Sequence, residues 1–277
     1  MAINDKGEHW YRPSGESCHQ VPKAKGGGMR ATTIKDAKAL GLIPSVTSIL
    51  GILEKPQLVD WKLRQVALAS MRVTRMPNEE EYAFTSRMIT EAFQQVVDAA
   101  DRGKDIHKAL ELHFQGREYD QEWAQEVQAV DQWFMRNHIS VLDTERQVVN
   151  LAEGFAGTTD LIVGTSTGCG IGDYKTKKSK PEFAMTPYDG QATQIAAYHM
   201  TVYGEINDNA SGFNLYISST ERGRVEGTFY TPETLRNEWE VFKHLCAIWR
   251  FRKGYDPRQE VIKPIISDEQ PEETIAN

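Results

Sequence analysis

The pattern of apolar and polar positions changes period near residue 139 and divides the chain into a helical part and a sheet part. Before this point, apolar residues recur every three or four positions, which predicts amphipathic helices over 58–71, 82–115 and 122–137. Ser45 is a good N-cap for a further short helix that follows it, and Gly103 marks a potential interruption of the second long one. Residues 44–138 are therefore expected to be mostly helical.

After residue 139, short apolar runs bounded by turn residues predict strands. They cover 139–150 (as one or two strands), 155–163, 169–174, 211–218 and 225–230. Helical spacing returns over 190–204 and 232–251. The order strand, turn, strand, helix, strand predicts an α/β (α+β) fold with a central mixed β-sheet flanked by helices, preceded by an N-terminal helical region.

The same pattern predicts the domain organisation. Residues 1–43 carry three consecutive glycines among basic residues and have no regular period, which predicts a flexible N-terminal arm, with a flap over a substrate as the alternative. Residues 44–138 are expected to form a helical part of one domain whose sheet-containing core covers 139–263. The acidic segment 264–277 is expected to be a disordered tail.

Composition narrows the class of protein. No stretch approaches the ~18 uninterrupted apolar residues of a transmembrane helix, and the polar N-terminus lacks a signal peptide, so a cytoplasmic, intracellular protein is expected. The three cysteines form no Cys-x-x-Cys pair, which disfavours a zinc or iron–sulfur site built from cysteines. A net charge of −7 excludes a strongly basic, histone-type binder, but an enzyme acting on nucleic acid needs only a local basic groove.

Two short segments carry the candidate chemistry. Asp160 ends the segment Gly157-Thr158-Thr159-Asp160, and Asp173 lies 13 residues further on, two positions before Lys175. Because side chains alternate along a strand, Asp173 and Lys175 are expected to share one face. Carboxylate oxygens suit Mg²⁺ or Mn²⁺, and such an ion can polarise a phosphate and activate water. The alternative is a surface ion pair on an edge strand.

These two segments belong to an ordered set of motifs, with His107 on a preceding helix and Gln194-x-x-x-Tyr198 on the following one. The set resembles the PD-(D/E)XK nuclease superfamily, and within it the RecB-like exonuclease branch, which includes mitochondrial genome maintenance exonucleases and related bacteriophage exonucleases. The resemblance covers roughly residues 44–200. It implies a sheet of the restriction-endonuclease-like type and hydrolysis of phosphodiester bonds in DNA.

The resemblance also implies a role for each matched position. Asp160 and Asp173 correspond to the metal-binding, catalytic carboxylates, and Lys175 corresponds to the catalytic lysine. His107 and the backbone carbonyl of Tyr174 are implied as further metal ligands. The expected cofactor is one or two Mg²⁺ or Mn²⁺ ions.

Further residues are candidates for supporting roles. Gln194 and Tyr198 lie four residues apart, on one helical face, and are implied to contact DNA or support the lysine. Glu145 matches an acid at the start of the core in many relatives, and Glu111 lies one helical turn beyond the candidate histidine.

A lysine cluster and two aromatic residues follow the second strand. Lys177, Lys178 and Lys180 are expected to track phosphates as a DNA-binding loop, with a solvated charge run as the alternative. Phe183 and Tyr188 would stack on bases if exposed, with core packing as the alternative.

The expected function is therefore a metal-dependent DNA exonuclease, single-strand or end-dependent, in DNA replication, recombination or degradation. A structure-specific endonuclease on the same scaffold and a non-catalytic DNA-binding recombination partner are the alternatives.

The chain has no P-loop segment, so no nucleotide cofactor is expected, and no iron–sulfur cluster is expected. DNA is the expected partner, with a single-strand annealing or replication protein as a further candidate and no membrane. A phage protein in a bacterial host is one origin that the resemblance implies. The polarity of digestion and the oligomeric state stay open.

Overall fold

The computed structural model describes residues 8–258 of the 277-residue chain. In chain order, the strands are β1 (Trp10–Tyr11), β2 (Gln20–Pro22), β3 (Met29–Ala31), β4 (Ile43–Pro44), β5 (Ser140–Asn150), β6 (Phe155–Gly164), β7 (Cys169–Lys177), β8 (Ser211–Ser218) and β9 (Val225–Tyr230). The helices are α1 (Ile34–Leu40), α2 (Val46–Leu50), α3 (Pro56–Ser70), α4 (Glu81–Phe114), α5 (Ala124–Arg136), α6 (Gln191–Tyr203) and α7 (Pro232–Lys253), with a short 3₁₀ turn at Gln121–Trp123.

The last five strands form one mixed sheet in the order β5-β6-β7-β8-β9. Neighbouring strands are antiparallel except β7 and β8, which are parallel. A parallel pair needs a long crossover connection, and α6 lies in that connection. This sheet with helices packed against it confirms the predicted α/β (α+β) class.

Helices cover both faces of the sheet. Leu161 and Ile162 are neighbours in β6, yet they belong to two different core clusters because successive side chains point to opposite faces. Residues of α2, α6 and α7 complete the cluster around Ile162, whereas residues of α4 and α5 complete the one around Leu161. The sheet is therefore a buried middle layer.

The helical part agrees with the predicted pattern, with one correction. Ser45 caps α2, since its hydroxyl accepts a hydrogen bond from the backbone N–H of Ser48 at 3.0 Å. The potential interruption at Gly103 is wrong, because α4 continues through it to Phe114. A Cβ at Gly103 would lie 3.4 Å from Thr176 Oγ1, an ordinary van der Waals distance, so α4 meets β7 at this position. No helix in the described part of the chain is long and apolar enough to cross a lipid bilayer.

The N-terminal segment is part of the fold, which corrects the expectation of a flexible arm for residues 8–43. Trp10 is fully buried, with its ring centroid 6.0 Å from that of Trp249. The three consecutive glycines, Gly26 to Gly28, lie in the turn between β2 and β3, all with positive φ. Apolar residues here follow no regular period, so the pattern alone does not reveal their burial. The predicted acidic tail, 264–277, lies outside the described residues.

Candidate active site

The two candidate carboxylates lie at a fork where β6 and β7 separate. Backbone pairing between these strands ends at Leu161 and Gly172, one residue before Asp160 and Asp173 would face each other. Beyond that point, the backbone N–H of Tyr174 donates to Asp160 Oδ2 at 2.9 Å. In regular pairing, a backbone carbonyl of β6 would accept this hydrogen bond. Here the side chain of Asp160 accepts it instead, so the backbone donor stays satisfied. The structure brings both acids to this fork.

Three side chains meet beside the fork. The ligand atoms of His107, Glu145 and Asp160 lie within 4.8 Å of one another. His107 reaches the sheet from α4, and its Nδ1 lies 3.5 Å from Asp160 Oδ2. Two carboxylates and one imidazole form a donor set that a divalent cation can use, and oxygen ligands suit Mg²⁺ or Mn²⁺. This cluster does not include Asp173.

Glu145 lies opposite Asp160 in the register between β5 and β6. The residues on either side, Thr144 and Arg146, pair with β6, whereas Glu145 itself is left out of the pairing. Its φ is 51°, a left-handed conformation that is uncommon for a residue other than glycine. Burial, together with the nearby acids, raises the pKa of Glu145 to about 7. Its charged form is therefore disfavoured by its surroundings, and a bound cation would favour it.

Asp173 lies deeper than the other acids, with only 2% of its surface exposed. Its Oδ2 forms an ion pair with Lys175 Nζ and accepts a hydrogen bond from Asn214 Nδ2 at 3.0 Å. Both contacts use Oδ2, so Oδ1 stays outside this network. Strand alternation thus places Asp173 and Lys175 on one face, as predicted.

The pKa values of this pair follow from its position. Burial raises the pKa of Asp173 to about 6, against the opposing effect of the Lys175 charge. Burial acts to lower the pKa of Lys175, but the charges of Asp173 and Asp160 outweigh it and raise that pKa. Lys175 is therefore held as an ammonium group, and the Asp173 carboxyl is stabilised chiefly by its direct partners.

Asn214 is a site residue that the sequence did not point out. It is fully buried in β8, between Phe213 and Leu215. The hydroxyl of Tyr230 donates to Asn214 Oδ1 at 2.6 Å, which orients the amide so that its Nδ2 donates to Asp173. A polar residue between the apolar residues Phe213 and Leu215 is the signal that could have identified it.

The two candidate residues of α6 have different environments. Gln194 accepts a hydrogen bond from Lys175 Nζ at 3.4 Å, a contact that matches the lysine-supporting role implied for it. Tyr198 is buried and packs on Gly157 so closely that a Cβ there would lie 2.6 Å from the tyrosine hydroxyl. The glycine of the first motif therefore makes room for Tyr198.

An open cavity of about 470 Å³ adjoins the fork. Its sheet and helix walls include Lys104, His107, Lys108, Glu111, Glu145, Thr158, Asp160, Gln194 and Tyr198. Glu111 is also ion-paired with Lys108 at 2.7 Å. The remaining lining residues are His9, Tyr11 and His19 of the N-terminal segment, together with Ser45 and Thr47 at the start of α2. The sequence did not single out His9, Tyr11 and His19, because their segment was expected to be a flexible arm, with a flap over a substrate as the alternative.

The three lysines at the end of β7 and directly after it differ in their contacts. Lys177 Nζ donates to the carbonyl of Thr186 at 2.6 Å and lies 3.9 Å from the ring centroid of Tyr188. Lys178 and Lys180 are exposed. The first lysine therefore fixes the following segment, and the other two are free to meet a ligand.

Comparisons with known proteins add little to this geometry. No protein-family model matches the chain, and no curated protein matches it. Sixteen chains of solved structures match it. One of them, described as "Crystal structure of SSO0001", is 13% identical and has a TM-score of 0.26, with 68% of this chain and 85% of that chain covered. A TM-score this low supports no conclusion about fold or function, so the function rests on the site itself.

Proposed function

We propose that this chain is a metal-dependent deoxyribonuclease of the RecB-like branch of the PD-(D/E)XK superfamily, acting as an exonuclease on DNA. The observation that carries the proposal is the fork between β6 and β7. There, Asp160 lies against His107 and Glu145, while Asp173 on the facing strand is paired with Lys175. The preference for DNA ends rests on the sequence resemblance.

The acids and the histidine are the residues that would hold the cation. His107, Glu145 and Asp160 supply ligand atoms close enough to share one ion, and Asp173 lies beside them across the fork. When bound, such an ion supplies Lewis acidity toward a phosphate oxygen and toward water. The Tyr174 carbonyl stays a predicted ligand, since only its backbone N–H has a described contact in the fork.

Lys175 has the position and charge state to stabilise a phosphate in the transition state. Its ammonium group is held between Asp173 and Gln194, and the acids favour its charged form. A cation fixed in place before the reaction stabilises negative charge that develops on the phosphate oxygens. The geometry thus favours an electrostatic role for Lys175 among the roles open to a catalytic lysine.

The cavity fits a substrate of nucleotide size. Its volume of about 470 Å³ falls within the ~300–1,000 Å³ of typical ligand sites. Lys104 and Lys108 line it one helical turn apart on α4, on the same wall as His107. They would contact phosphates on either side of the scissile bond.

A time course on one DNA sequence in three forms tests this function. End-labelled single strands, end-labelled duplex and a closed circle are incubated with Mg²⁺, with Mn²⁺ or with EDTA. We expect mononucleotides or short products from the linear forms with either metal, and no cleavage with EDTA. Cleavage of closed circles would favour the endonuclease alternative, and cleavage that survives EDTA would contradict the metal mechanism. DNA binding without any cleavage would favour the non-catalytic alternative.

A further inference from the structure

The segment between β7 and α6, residues 178–190, is here named the connecting loop. It has no regular strand or helix, yet its first half is held firmly by Arg224. This guanidinium donates to the carbonyl of Lys180 at 2.8 Å and to that of Phe183 at 2.7 Å. The backbone around Phe183 is therefore fixed by a side chain from the neighbouring β8–β9 turn.

The second half of the connecting loop is held in the same way. Met185 is buried, and its backbone N–H donates to Glu226 at 2.8 Å. The backbone N–H of Tyr188 donates to Gln191 Oε1 at 3.0 Å, in the first turn of α6. Hydrogen bonds thus anchor the loop on both sides of its exposed part.

This anchored loop presents two large aromatic side chains to solvent. Phe183 is 64% exposed and Tyr188 is 62% exposed. Within the described part of the chain, neither ring contacts another aromatic ring. The Lys177 ammonium lies 3.9 Å from the centroid of the Tyr188 ring. Aromatic rings held in water on an anchored backbone leave their faces accessible to bases.

The connecting loop begins close to the candidate site. Lys177 is two residues beyond Lys175 on the same strand face, roughly 7 Å along the strand. On the other side, Gln191 precedes Gln194, the partner of Lys175, by one helical turn. A DNA strand whose phosphate lies at the fork would therefore have its neighbouring nucleotides within reach of Tyr188.

We propose that Phe183 and Tyr188 form a platform on which unpaired bases stack, so that the site takes single-stranded DNA. The proposal rests on the proposed nuclease function and deepens it by naming the form of the substrate. Aromatic rings bind bases of any sequence through their faces, and a base in a duplex has both faces covered by its neighbours. Lys178 and Lys180 precede the first ring in the loop, are exposed, and would contact the strand's phosphates.

Equilibrium binding in EDTA, where the proposed function predicts no cleavage, tests the platform. The full-length chain is titrated into a fluorescent single-stranded oligonucleotide and into the matching duplex. Phe183→Leu and Tyr188→Leu keep an apolar side chain but remove the flat ring. Matched controls are Phe251→Leu and Tyr82→Leu, which remove rings that are 88% and 81% exposed elsewhere on the molecule. Thermal unfolding of every variant checks that the fold is kept.

We expect each loop variant to raise Kd for the single strand about tenfold, with duplex binding unchanged and both controls like wild type. Replacing one base at a time by an abasic site should weaken binding to the wild type at one or two positions of the oligonucleotide. At those positions, the variant that combines Phe183→Leu and Tyr188→Leu should show no such loss. Unchanged single-strand affinity in both loop variants would overturn the platform while leaving the nuclease function standing. Absence of both binding and cleavage in the wild type would overturn the function and the platform together.

Discussion

The two halves of β7 differ in their neighbours and in their chemistry. Residues 169–172 pair with β6 on one side, and residues 170–172 also pair with β8 on the other. Residues 173–177 pair only with β8, because β6 has diverged. The first half is Cys-Gly-Ile-Gly, with tightly packed glycines, and the second carries Asp173, Lys175 and Lys177.

Loss of one neighbouring strand is what makes room for polar chemistry. In the doubly paired half, a Cβ at Gly172 would lie 2.5 Å from Phe213 Cζ, so even one added atom does not fit. In the singly paired half, a freed backbone N–H binds Asp160, and the side chains reach Gln194 and Asn214. We therefore expect substitutions in the first half to affect stability and those in the second half to affect activity.

The largest loss of activity is expected from substitutions in the second half of β7. Asp173→Asn and Lys175→Gln should each lower kcat by about 100- to 1,000-fold, because each removes a charge that the proposed transition state needs. Initial rates on end-labelled single strands measure this. Lys35→Ala is the control, since this lysine is exposed in α1 and does not line the cavity, and it should stay within about twofold of wild type. Full activity in either site variant would show that this half of β7 is not catalytic.

Substitutions in the first half of β7 should lower the stability of the protein. Gly172→Ala is expected to lower the free energy of unfolding by about 1–3 kcal/mol, because the added methyl group overlaps the buried Phe213 ring. Urea unfolding measures the loss. Gly103→Ala provides a control with more space, since the new Cβ would lie 3.4 Å from Thr176 in a helix that favours alanine. Equal stability of Gly172→Ala and wild type would contradict the packing account.

A smaller effect is expected where the second half meets β8. Asn214→Ala removes a hydrogen bond to Asp173 Oδ2 and should lower activity about tenfold, since such partners orient the groups that bind metal. Tyr230→Phe should have a weaker effect, because it removes only the donor that orients the amide. The Mn²⁺ concentration for half-maximal rate separates this role from a purely structural one. A stability loss without any change in Mn²⁺ dependence would favour the structural explanation.

The smallest expected effect is the pH dependence of stability that the acids at the fork cause when no metal is bound. The pKa of Glu145 rises from 4.5 in the unfolded chain to about 7 in the fold. Between these values the folded state keeps a proton that the unfolded state has lost, so stability falls as pH rises. Glu145→Gln should therefore be stabilising relative to wild type at pH 8 and not at pH 4.5, by urea midpoints in EDTA. With Mn²⁺, the wild type should be more stable than Glu145→Gln at pH 8, because metal binding stabilises the wild type more. A difference independent of pH would contradict this account.

Several features of this protein follow from its sequence alone. The 3.6-residue and two-residue periods set the helices and strands, because each element must bury one face. Alternation in β7 placed Asp173 and Lys175 on one side, and spacing placed Gln194 and Tyr198 on one helical face. These relations involve residues that are close in the chain, so local geometry is sufficient to predict them.

Other features were decided only by the tertiary structure. The burial of Trp10, the position of Glu145 opposite Asp160 and the hydrogen bond from Asn214 to Asp173 each depend on residues far apart in sequence. The exposure of Phe183 and Tyr188 depends on anchoring by Arg224 and Gln191. The pattern along the chain made Asp173 and Lys175 candidates. The divergence of β6 from β7 brought them together with Asp160 as a candidate site, because strand pairing is a long-range interaction that no local period encodes.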